Sequence, residues 1–436
     1  MPRSKQFYPG HEPLTSSPLR LQHSRVSGPV SFLNPTDAHY RHPIYPEKLT
    51  PPAVAPSRIL YNENIEQINP EQFASNVSFR WRSRDNRKGR HTLLVEPTKP
   101  TSHNKHYIVY QCTSNPREVT RGIWRMLTVF PYWDISYLVA TIFTLGSVVW
   151  VINAFFVWLP LVAPSTEFKD EVLTGGGLTA FFGATIFEVG SVLLIFEAVN
   201  ENNEGCFGWA LEQILEGENG SKIGIIPGRE QCEHHHSNNK NFVGKGIASS
   251  STTPLPSSSE SQIKTWQWFP SPHELRTHYF HQLGFLASLS QLFGATIFWV
   301  SGFTALPHIN KALPQDILNG IYWVPQIVGG SGFIVSGILF MLETQSIWYI
   351  PAFGVLGWHV GFWNLVGAFG FTLCGALGPA YGNSGAQYEA SLATFWGSWA
   401  FLMGSMIQWY ESLDKYPVEQ GKIERPKSTG KKGAAF

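Results

Sequence analysis

GATIFEVGSVLLIFE at 183–197, GGSGFIVSGILFMLE at 329–343 and GSWAFLMGSMIQWYE at 397–411 decide how this chain folds. Aligned on Gly183, Gly329 and Gly397, they place Phe187, Phe333 and Phe401 four residues on and Gly190, Ser336 and Gly404 seven on. Fourteen on stand Glu197, Glu343 and Glu411. Such offsets return to one face of a helix. A small residue, an aromatic one turn later and another small residue suit close helix contact in lipid, where association comes from packing and polar contacts. The segments that precede them answer with Gly146, Gly294 and Gly367, aromatics at Trp150, Phe298 and Phe371, and Asn153, Ser301 and Cys374 at the seventh position.

The surrounding composition agrees with a lipid environment. Only 14% of the 436 residues are charged, against about 25% in an average soluble protein. No Asp, Glu, Lys or Arg occurs at 135–166, 277–310, 317–342, 344–388 or 390–410. Six spans of near bilayer length are expected, at roughly 136–160, 177–197, 282–305, 320–343, 353–376 and 389–411. Lys+Arg total 32 against 31 Asp+Glu, which leaves no charge to draw nucleic acid. Four scattered cysteines make no disulfide framework. The first residues lack the apolar run of a cleavable signal peptide.

The expected fold class is therefore an all-α membrane protein: six transmembrane helices as three tandem hairpins (133–199, 276–345 and 351–411) about an approximate three-fold axis. Residues 1–105, with 11 of the 30 prolines in the first 60, read as a disordered arm. Residues 116–131 read as a basic interfacial helix, since Arg117, Arg121 and Arg125 recur every fourth residue beside Val119, Ile123, Trp124 and Leu127. A loop at 200–275 contains a Ser/Thr/Pro linker, and 412–436 is a basic tail. Lys and Arg flank the first span and fill the tail, whereas the loops after spans one, three and five hold little beyond Lys169 and Lys311, so both termini should be cytosolic.

A family resemblance rests on particular words. TLGSVVWVIN in span one and VGSVLLIFE in span two are similar to the bacterial YrhK-type two-span domain. GCFGWALE, ELRTHY and GSMIQWYESLDKYP resemble fungal multi-pass membrane proteins that carry that domain. The likeness covers about 117–418 and implies helical hairpins in a membrane, with no agreed activity or catalytic residues.

Candidate chemistry is sparse. Glu188 is the one Asp, Glu, Lys or Arg deep in a span, nine residues before Glu197 and hence about 13 Å deeper. A carboxyl there is expected to be neutral or paired with Asn153, Gln326, His359 or Asn364, which would suit a proton- or cation-coupled site. Cys206, Cys232, His234 and His236 could hold zinc through thiolate and imidazole, the one cofactor suggested, although their spacing matches no established motif. Gly329-Gly330-Ser331-Gly332 resembles the serine motif of rhomboid proteases, but the sixth span supplies no histidine base. No nucleotide or hydrolase motif occurs, and the chain does not read as an enzyme. Two functions remain: a membrane-organising or interaction protein that contacts the lipid bilayer and recruits cytosolic proteins through arm and loop, or a transporter with a polar midplane around Glu188.

Overall fold

Asp134 starts the first span: its side chain accepts from the backbone N–H groups of Ser136 and Tyr137, capping helix ends that would otherwise be orphaned. The computed structural model describes residues 5–8, 12–13, 20–41, 59–60, 77–95, 109–110, 112–201 and 266–420. Within them, a five-residue helix α1 (Ser83–Arg87) and an amphipathic α2 (Pro116–Thr128) precede six long helices. These are α3 (Ile135–Val162), α4 (Gly177–Val199), α5 (Leu283–Thr304), α6 (Val324–Thr344), α7 (Leu356–Leu377) and α8 (Ser384–Leu413). Helices α3 to α7, with the turns that lead into α4 and α6, are long and apolar enough to cross a membrane. The sixth, α8, carries Gln387, Glu389, Gln408 and Glu411 and is less apolar, but it occupies a full place in the bundle.

Each long helix packs against its neighbours in sequence, and α8 returns to α3, so the bundle closes on itself. Its axis is filled by aromatic rings. Trp150, Phe298 and Phe371 meet at centroid distances of 4.8 to 5.7 Å. Beside them Phe401 lies 5.5 Å from Phe187 and 6.2 Å from Phe333. Phe371 and Phe401, 5.4 Å apart, join the two clusters. These are the aromatics that stand four residues after the aligned glycines. Outward faces carry Leu145, Ile152, Phe182, Val189, Phe293 and Val300, the apolar surface a bilayer would cover.

The all-α expectation needs a correction, and so does the disordered arm at its described residues 20–41 and 77–95. Among the described residues, 20–41 and 77–95 contribute four strands, β1 (Arg20–Leu21), β2 (Asp37–Arg41), β3 (Val77–Arg82) and β4 (Thr92–Val95). A fifth, β5 (Val418–Gln420), comes from the expected tail and pairs in parallel with β4, Leu93 opposite Val418; the other pairings are antiparallel, in the order β1-β2-β3-β4-β5. Strand β3 alternates Phe79 and Trp81, which join Val26, Ala38 and Tyr40 in a small core, with Arg80 and Arg82 on the opposite face. Arg80 donates to Asp37 and Arg82 to Glu419, so that face is bound by ion pairs across strands. Proline and charge hid this layer because its strands are short and its last pairing, Leu93 with Val418, joins distant parts of the chain.

Candidate functional site

Glu197, Glu343 and Glu411 end α4, α6 and α8 at one end of the bundle. None is more than 1% exposed. What covers them is α1, presented by the β3–β4 connection. Arg84 makes a two-pronged bond to Glu411, Nε to Oε1 at 3.1 Å and Nη2 to Oε2 at 2.7 Å. Arg87 bridges the other two acids, donating from Nη1 to Glu197 and from Nη2 to Glu343 Oε2 at 2.9 Å. Arg90 reaches Glu411 Oε1 at 3.1 Å and Asp85 Oδ1 at 2.7 Å. Ser83 donates to Glu343 Oε1. Gly284 makes room for this clamp, since a Cβ there would overlap the Glu343 carboxylate.

Such a network is a latch in the energetic sense. Burying each charge costs several kcal/mol, which the opposing charges and their hydrogen bonds offset, so removing one partner of a pair is costly. The segment that follows the bundle is drawn in as well: Lys415 Nζ lies 2.6 Å from Asp134 and donates to the Lys88 carbonyl at 2.9 Å. The latch therefore joins the arm to α3, α4, α6 and α8 and to the C-terminal strand.

Arg87 keeps its charge: burial works against it, and Glu343 and Glu197 outweigh burial and push its pKa up. Lys88 is different. Its ammonium is fully buried, 3.7 Å from Glu197 Oε1, and without a hydrogen-bond partner among the described residues. Burial pulls it down to about 8 from the ordinary 10.5, with Glu197 opposing. Between these values the unfolded chain binds the extra proton, so this group's contribution to stability rises with pH from about 8 to 10.5 and its penalty is fully present below 8. Lys88→Met is accordingly expected to melt higher than wild type at pH 7, by on the order of 2–3 kcal/mol, with the gap closing as pH approaches 10. Thermal unfolding of both proteins across that range checks this, and a gap that widens with pH would refute it.

The polar residues expected to share a midplane site are not brought together. Glu188 lies in the outer groove between α4 and α5, where Oε1 accepts from the exposed Thr296 hydroxyl at 3.0 Å, and not from Asn153, Gln326, His359 or Asn364. Asn153 donates to the Gly176 carbonyl and the Thr179 hydroxyl, toward the end of the bundle away from the acids. His359 Nε2 is 2.8 Å from the Phe353 carbonyl. Asn364 borders a small cavity beneath α1. Ser331 donates to the Ile327 carbonyl of its own helix. Cys206, Cys232, His234 and His236 lie outside the described residues.

Arg84, Arg87, Lys88 and Arg90 were missed because a short basic run in a proline-rich arm reads as solvated. A signal was present: arginines three apart in SRDNRKGR at 83–90, and three helix-terminal glutamates with no cation in the spans to meet them. The five apolar helices define the class, a helical membrane protein. No family model, curated protein or solved structure matches the chain.

Proposed function

We propose that this chain is a membrane-organising or interaction protein: a sealed helical platform that holds a folded polar layer against one membrane face. The observation that carries the reading is the closed axis, where rings from Trp150, Phe298 and Phe371 touch and α1 covers the end above them. A conduit needs convergent polar groups along its path. Glu188, His359, Asn153 and Asn364 each have their own separate surroundings.

In this reading α8 is the sixth span, and the helices are three hairpins about an approximate three-fold axis. The repeat of glycine, aromatic and terminal acid supports that arrangement, as does the resemblance to YrhK-type two-helix domains. Both termini lie on the cytosolic face, by the distribution of Lys and Arg. Helix α2 rests on the anionic leaflet of that face: Gly122 sits against Tyr410, and Ile123, Trp124 and Leu127 are exposed. The polar layer and the long loop are the elements that cytosolic proteins would grip.

Flux in proteoliposomes is the test. The full chain is expected to pass protons and small ions no faster than empty vesicles, with Glu188→Gln identical to wild type. Saturable flux that Glu188→Gln abolishes would replace this reading with transport.

A further inference from the structure

Between α1 and the bundle lies a cavity of about 20 Å³. That is room for one or two waters or a single monatomic ion, and too little for a carboxylate or phosphate group. Arg84, Arg87 and Lys88 line it from the arm, and Gln291, Asn364 and Gln408 line it from three helices of the bundle. No carboxylate is among its lining residues. Two of these lining residues hold buried donors, Lys88 Nζ and Arg87 Nε, without a hydrogen-bond partner among the described residues.

We propose that this cavity binds a small monatomic anion of chloride size, and that the anion helps to hold the arm on the bundle. The donor set suits such a ligand. An ammonium and guanidinium groups supply charge, primary amides supply N–H donors, and the rings of Phe187 and Phe401 have the positive edges that face anions well. A water molecule would accept from the same groups, but it brings no charge to the Lys88 ammonium, whose nearest carboxylate stands at 3.7 Å, beyond hydrogen-bond reach. Because Arg84, Arg87 and Lys88 of the arm complete a lining otherwise supplied by the bundle, the site is whole only when the latch is closed. Anion binding then stabilises the latched state by mass action.

The proposal is independent of whether the platform recruits proteins or carries solute. It is tested on the full chain in detergent or nanodiscs by thermal unfolding in potassium gluconate, chloride and bromide at equal ionic strength. Chloride and bromide are expected to raise the midpoint over gluconate by about 2 °C when present at roughly ten times the dissociation constant. Lys88→Met is expected to fold and to lose the difference between salts, and Gln408→Leu, which leaves every latch ion pair in place, to reduce it. Equal midpoints in the three salts would mean that the cavity holds water and would overturn the proposal. A chloride effect that persists undiminished in both Lys88→Met and Gln408→Leu would overturn it too.

Discussion

Arg87→Met releases the polar layer from the bundle. Its guanidinium is the bridge between Glu197 and Glu343, and its loss leaves two carboxylates at the closed end of a helical bundle with reduced compensation. Glu343 keeps only the Ser83 hydroxyl at 3.1 Å, and Glu197 keeps Lys88 at 3.7 Å. Breaking a buried pair from one side costs about 3–5 kcal/mol. The expected result is a lower melting midpoint and rapid proteolytic cleavage between residues 77 and 95, with the bundle itself still folded. Adding Glu197→Gln and Glu343→Gln to Arg87→Met is expected to recover more than half of the loss, since a buried amide carries no charge. Arg84→Met is milder, because Glu411 retains Arg90. If Arg87→Met melts within about 1 kcal/mol of wild type, the value of a surface pair, the latch does not exist as described.

Gly329→Leu destroys the bundle instead. A Cβ at 329 would lie 2.6 Å from the Gly294 carbonyl oxygen, 2.7 Å from Phe298 Cβ and 2.8 Å from the Phe298 nitrogen. Two of those three are backbone atoms of α5, which cannot rotate away as a side chain can. Helices α5 and α6 must separate, and the interhelical packing that replaces the hydrophobic effect within lipid is lost along their length. An alanine is expected to cost about 1–3 kcal/mol as overpacking, and leucine to abolish recovery of monodisperse protein on size exclusion. Gly320 is the control: a Cβ there meets nothing within 4 Å, and Gly320→Leu is expected to be recovered like wild type. Monodisperse Gly329→Leu protein would show that the glycine face is not a close contact.

The two predictions mark the two kinds of information in the chain. Glycines at 294 and 329 and the aromatics four residues after them were visible because helix geometry converts a spacing along the chain into a shared face. Glu188 was visible as an anomaly, yet its partner Thr296 was not, since a hydroxyl in a span gives no sign that it faces a neighbouring helix. Glu197, Glu343 and Glu411 were legible as a set by their common offset, whereas their burial was not.

By itself the sequence determined the apolar segments, their lengths and the small-residue face that lets them approach, because bilayer thickness and helical rise act on local stretches of chain. Only the tertiary structure decided that the chain continues beyond the membrane as a sheet, that Leu93 pairs with Val418, and that arginines 84, 87 and 90 close over the three acids. Those partners stand between 110 and 327 residues apart, and charges so far apart in sequence choose one another only once folding has brought them into the same dry space.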